Sequence, residues 1–280
     1  EVGLLGPERD YCRQAEEAFT GNVPDKLMDA AVKAGKIRAG ETALPEKADW
    51  TVVFGEDAGE IFSAWCFASA LERIASVGKK EYPLPCYANV WLKQFPWYAG
   101  SYPSGGPVED MLWVWKATAP SLFTIAPDIY VPYVPEIMKK YTRPDNPLVI
   151  PEVRKDAVTA SYALYAYLNC HALCYAPFGI EDLWQEDPDV IPKEVTEALN
   201  IDPLSFDMTG TKETLGEVYR LLGEIKPLYL RYRGTTHLKS FLKKAEGEQG
   251  CYLKFKSYDM EIRYLPQQVG MPTAAGAVFE

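Results

Sequence analysis

The chain has 280 residues, 48% hydrophobic and 24% charged, with a net charge of −10 from 29 Lys and Arg against 39 Asp and Glu. That composition excludes a disordered chain, and the acidic balance works against nucleic acid as a partner. No apolar run nears the ~18 residues that span a bilayer, no cleavable leader pattern opens the chain, and six cysteines at this length do not make a disulfide scaffold.

Residues 1–50 are polar and turn-rich, with one expected helix over Lys26–Lys36, opened by Pro24-Asp25 and closed near Gly35. Ala43–Lys47 reads as a loop. Glu56–Val77 reads as a longer helix: Ala58, Phe62, Trp65 and Ser69 recur at three- and four-residue spacing, and Gly78 is the expected stop. Leu84–Leu92 follows as a short apolar strand. Trp91, Phe95, Trp97, Tyr98 and Tyr102 then crowd one stretch that ends in Pro103-Ser104-Gly105-Gly106-Pro107. Such a loop either offers flat faces to sugar rings or forms a dry lid; the residues alone leave both open.

From here a rhythm repeats. Val108–Thr118 is an expected helix, Phe123–Tyr130 a strand, Tyr133–Tyr141 a helix and Thr142–Asn146 a turn. Leu148–Glu152 is a strand, Ala157–Cys170 a helix and Ala172–Phe178 a strand. A loop carrying prolines at 188, 192 and 203 leads to a long helix over Lys212–Tyr232. Short apolar strands alternating with helices predict an α/β fold with parallel strands covered by helices, successive strands lying side by side. After residue 233, Cys251–Lys256 and Met260–Tyr264 alternate polar and apolar residues around Tyr258-Asp259, a hairpin signal that opens an antiparallel β domain. GxGxxG and the phosphate-binding P-loop are both absent from the sequence. Cys170 and Cys174 flank His171 without a second ligand pair, and the chain has two histidines, so no metal site is expected.

In parallel α/β barrels chemistry gathers where strands end. The expected ends deliver Asn89 and Trp91, then Asp128 and Tyr130, then Glu152 and Arg154, then Phe178 with Glu181 and Asp182. Glu152 is the most pointed of these, because the buried run Leu148-Val149-Ile150-Pro151 hands an acid directly to the rim. A salt bridge to Arg154, or a cap for the next helix, is the structural alternative to catalysis.

Five blocks carry a resemblance. They are Tyr87-Ala88-Asn89-Val90-Trp91-Leu92, Tyr102-Pro103-Ser104-Gly105-Gly106-Pro107, Ala126-Pro127-Asp128-Ile129-Tyr130, Ile150-Pro151-Glu152-Val153-Arg154-Lys155-Asp156 and Pro177-Phe178-Gly179-Ile180-Glu181-Asp182. In this order they resemble the microbial β-galactosidase-like enzymes of glycoside hydrolase family 35 that carry an extra C-terminal β domain. The opening Glu1-Val2-Gly3-Leu4-Leu5-Gly6 is similar to the end of that family's acid/base strand. The resemblance implies strands five to eight of a (β/α)8 barrel over residues 1–232, followed by the start of a β domain over 233–280. The chain is then an internal fragment of a retaining exo-β-glycosidase, a β-galactosidase, and inactive by itself. It implies Glu1 as acid/base and Glu152 as nucleophile, with Tyr130 hydrogen-bonded to Glu152. Asn89 and Arg154 would bind hydroxyls or hold carboxylates, Trp91, Tyr102 and Phe178 would stack on sugar faces, and Glu181 would join the substrate site. The implied partner is a β-galactoside or related oligosaccharide, with a homo-oligomer formed through the full-length protein. No cofactor, metal, nucleic acid or membrane enters. An aromatic-rich cleft with a β appendage also fits a non-catalytic carbohydrate-binding protein, and the discriminator is whether Glu1 and Glu152 serve one cleft.

Overall fold

A computed structural model describes residues 6–37, 48–94, 97–185, 191–245, 247–264 and 273–280. Glu1, Phe95, Pro188 and the expected loop Ala43–Lys47 lie outside the described residues. The chain divides into two compact units, Glu1–Ala126 and Pro127–Glu280.

The first unit is largely helical: α1 (Arg13–Phe19), α2 (Asp25–Lys33), α3 (Trp50–Phe54) and α4 (Ala58–Glu81) precede β1 (Cys86–Val90) and α5 (Leu112–Thr118). β2 (Leu122–Ile129) begins in this unit and ends in the second. Its core is aromatic. Trp50 on α3 meets Phe62 edge-on at 5.0 Å and Trp65 at 5.3 Å, and Phe62 in turn meets Phe19 at 5.3 Å. Burying each such side chain contributes about 1.5–3 kcal/mol, which is why this stripe of α4 sets the packing. α4 does not stop at Gly78 as expected; it runs through it to Glu81. A Cβ at Gly78 would meet only open space, so the glycine imposes nothing there. The stop is Pro83, which drives the preceding Tyr82 to an extended backbone (φ −146°, ψ 111°).

In the second unit, α6 (Val134–Tyr141), β3 (Val149–Val153), α7 (Thr159–Leu168) and β4 (Cys174–Pro177) continue the alternation. α8 (Lys193–Ala198) and the 22-residue α9 (Thr211–Tyr232) follow. β1 to β4 form one four-stranded sheet in chain order, as the short crossovers predict. β2–β3 and β3–β4 pair in parallel. Within this unit α7 packs against α6, α9 and β4, with Ala160, Ala163, Leu164 and Ala166 buried.

The last strands are antiparallel. β5 (Leu238–Lys243) pairs with β8 (Ala274–Phe279), and β6 (Gly250–Lys254) with β7 (Asp259–Arg263). The expected hairpin is therefore present, its turn closed by Phe255 stacked on Tyr258 at 5.0 Å. β5 and β8 both lie on α7, so these strands share the core of the second unit. The change from α/β to antiparallel elements falls after Tyr232, while the division into compact units falls at Ala126.

Candidate active site

In the second unit the ends of β2 and β3 bring an acid and a phenol together. The register places Asp128 opposite Glu152 and Ile129 opposite Val153. Tyr130, one residue past β2, donates its hydroxyl to Glu152 Oε1 at 2.7 Å. Burial raises the Tyr130 phenol well above its usual range, and the Glu152 bond and charge add to this, so Tyr130 is the donor. Glu152 itself is half-buried.

The backbone explains why Glu152 sits where it does. Val149 pairs with Cys174 and Ile150 with Tyr175, but Val153 pairs with Pro177, so β3 carries one extra residue between Ile150 and Val153. Pro151 has no N–H for the ladder, and an irregularity is how a strand accommodates that. Bulges re-aim the side chain they carry, and here that side chain is Glu152.

Arg154 lies elsewhere in the same unit's chemistry. Its side chain is 3% exposed. Nε and Nη2 each donate to Asp156 at 2.7 Å, and Nη1 donates to Asp202 at 2.6 Å and to the Val131 carbonyl at 3.3 Å. Of the roles expected of it, holding carboxylates is the one its hydrogen bonds match: four of its five donors go to Asp156, Asp202 and the Val131 carbonyl. The expected alternative of a Glu152–Arg154 bridge is not formed: Glu152 has Tyr130 and Arg154 has the two aspartates. Burial opposes the Arg154 charge, and Asp156 and Asp202 outweigh it. Burial also pushes the Asp156 carboxyl above its ordinary range, against the pull of Arg154.

Phe178 follows β4 and is 46% exposed, meeting the Tyr130 ring edge-on at 6.4 Å. It keeps an open surface, as a stacking residue needs. Glu181 is exposed on the short helical turn Ile180–Trp184. Its neighbour Asp182 binds Lys155 in a close ion pair with little solvent access. Gly179 permits this pair: its φ is +60°, and a Cβ there would meet Asp182 Oδ2 at 2.8 Å and Lys155 Nζ at 3.3 Å.

No model of a known protein family matches this chain, and no curated protein matches it. Among the described residues there is also no group of three or more His, Cys, Asp and Glu side chains able to hold a metal ion. No helix among them is long and apolar enough to cross a membrane.

The remaining expected residues belong to the first unit. Asn89 is exposed on β1 and Trp91 is half-buried just beyond it. Tyr102 is fully buried and donates to Glu60 Oε1 at 2.5 Å, so its ring has no open face to offer a sugar. Burial raises the Glu60 carboxyl, partly offset by the Tyr102 bond. The loop around Tyr102 is pinned rather than free. The Gly100 N–H donates to Ser104 Oγ at 2.7 Å, and Trp115 Nε1 donates to the Gly105 carbonyl at 3.2 Å. Gly105 (φ +79°) lies where a Cβ would meet Ser63 at 2.8 Å. Of the described aromatics of this stretch, Tyr98 is the exposed one, at 75%.

Sequence reasoning missed Asp202, Ser205 and Phe206. Asp202 reaches Arg154 from 48 positions along the chain, Ser205 reaches Tyr130 from 75, and Phe206 meets the Tyr130 ring. The sole local signal was Asp202-Pro203, the capped start of a short helical turn, Pro203–Phe206.

Proposed function

We propose that the parallel strands belong to a (β/α)8 barrel and that the chain carries the nucleophile of a retaining exo-β-glycosidase acting on β-galactosides. The observation that supports this best is the 2.7 Å hydrogen bond from Tyr130 to Glu152 at the ends of neighbouring parallel strands. A carboxylate that attacks must be aimed and must keep a free oxygen. A bond from a phenol to Oε1 does the aiming and leaves Oε2 for the anomeric carbon.

Retaining hydrolysis uses two carboxyl groups about 5–5.5 Å apart. Glu152 attacks the anomeric carbon from the face opposite the leaving oxygen. The C–O bond to the aglycone breaks, and a galactosyl ester forms on Glu152. In this reading Glu1, outside the described residues, protonates the departing oxygen. It then takes a proton from the water that displaces Glu152. Two inversions give net retention, and two carboxyl groups suffice for acid, base and nucleophile. Phe178, with its exposed ring, is the stacking residue on this side.

The test is the stereochemistry of turnover by the full-length enzyme. Proton NMR during hydrolysis of an aryl β-galactoside is expected to show β-galactose first, with the α-anomer growing in by mutarotation. α-Galactose as the first product, or no hydrolysis of any aryl β-glycoside, would reject the reading.

A further inference from the structure

Resting on the catalytic reading of Glu152, we propose that Phe206 is a positioning residue, holding the Tyr130 ring so that its hydroxyl meets Glu152.

Three kinds of contact carry this. The first is ring on ring. The Phe206 ring lies 5.4 Å from the Tyr130 ring at an interplanar angle of 34°, while Phe178 meets Tyr130 edge-on at 75°. Tyr130 is thus held by two aromatic neighbours of different orientation. The second is main chain. The Tyr130 carbonyl accepts from the Asp202 N–H at 3.1 Å and from Ser205 Oγ at 3.2 Å. The third is attachment to the chain just past β3, the strand that bears Glu152. Arg154 Nη1 grips Asp202 at 2.6 Å, and the Lys155 N–H donates to the Ser205 carbonyl at 2.8 Å. Residues 202–206 therefore fasten to Tyr130 on one side and, on the other, to Arg154 and Lys155, two and three residues past Glu152.

The segment is itself stiff. Asp202 Oδ1 caps the turn by accepting from the Leu204 N–H at 3.1 Å, and Ser205 is buried. Phe206 also has Lys155 Nζ 5.8 Å from its ring centroid, a cation–π distance that ties it to the Lys155–Asp182 pair. A phenol swings about two side-chain torsions, and main-chain bonds do not restrain them. Ring neighbours do. Phe178 is 46% exposed and offers an edge, so Phe206 supplies the broader wall. Phe206 is no catalytic group: its side chain has no polar atom, and its ring meets Tyr130 and Lys155.

The experiment uses the full-length enzyme with fluorotyrosine at position 130 and fluorine NMR, alongside kinetics. Glu152→Gln gives the reference shift for a weakened Tyr130 bond. Phe206→Ala is expected to move the resonance toward that reference and to lower kcat roughly tenfold to hundredfold with KM little changed, since misalignment near 1 Å carries such penalties. Phe206→Tyr, which keeps the ring, is expected to restore both. Phe206→Leu keeps apolar bulk without the ring face and covers the case in which the alanine variant does not fold. An unmoved resonance in both the alanine and leucine variants overturns the proposal whatever turnover does. A moved resonance with unchanged kcat overturns the positioning role as well. If the resonance moves but even the unmodified enzyme fails to hydrolyse aryl β-glycosides, the ring contact stands and the glycosidase reading falls.

Discussion

Glu152→Gln in the full-length enzyme is expected to lower kcat by at least ~10³-fold while leaving fold and sugar binding in place. Glutamine keeps the size of the side chain and an oxygen to accept from Tyr130, whose hydroxyl lies 2.7 Å from Oε1. What it lacks is a carboxylate oxygen able to bond the anomeric carbon, so the covalent route closes. Raising substrate should not recover the rate, because the lost interaction belongs to the transition state. Thermal unfolding on the same samples separates this from a structural role, in which the variant would lose Tm and keep turnover.

Arg154→Ala is expected to do the opposite: a large loss of stability. Arg154 is 3% exposed and neutralises Asp156 and Asp202 at once. Removing one member of a buried ionic group leaves the others uncompensated, at about 3–5 kcal/mol, or a fall in Tm on the order of 10 °C. Arg154→Lys should recover little, because an ammonium cannot reproduce the paired Nε and Nη2 bonds to Asp156. The deficit should depend on pH. The Asp156 carboxyl already lies above its usual 3.8 in the folded protein, chiefly through burial. A raised carboxyl favours the folded state below 3.8 and loses that contribution as pH climbs through the folded value. Without Arg154 the rise grows, so the variant's deficit should widen from about pH 4 upward and narrow toward acid. Calorimetric Tm across that range checks it; an unchanged Tm with a raised KM would make Arg154 a substrate ligand instead.

Much of the architecture was legible because strand and helix periods are local properties. The four strands Cys86–Val90, Leu122–Ile129, Val149–Val153 and Cys174–Pro177 fall within or one residue beyond their expected spans, and their order follows from short crossovers. Tyr130 and Glu152 were legible for the same reason: each closes a buried run. What was not legible depends on contacts distant in sequence. Arg154 reads as a rim residue until Asp202, 48 positions on, claims it. Tyr102 reads as a sugar platform until Glu60, 42 positions back, buries its hydroxyl. Phe206 carries no signal of its own, because nothing in Pro203-Leu204-Ser205-Phe206 states which ring it will meet. Gly78 misled for a different reason: a glycine on an exposed helix face weakens the helix without ending it, and Pro83 ends it by restricting its neighbour.

The central claim is that Glu152 forms the bond to the sugar, and the most direct measurement removes that side chain and supplies another nucleophile. Full-length Glu152→Gly should be almost inert toward dinitrophenyl β-galactoside, whose departure needs little acid assistance. Added azide can enter the vacated space, attack from the same face as the lost carboxylate and displace the phenolate in one inversion. The account predicts a rate that rises with azide concentration and a product that is α-galactosyl azide. Near-normal hydrolysis without azide, or no azide-dependent rate and no glycosyl azide from a folded variant, would contradict it.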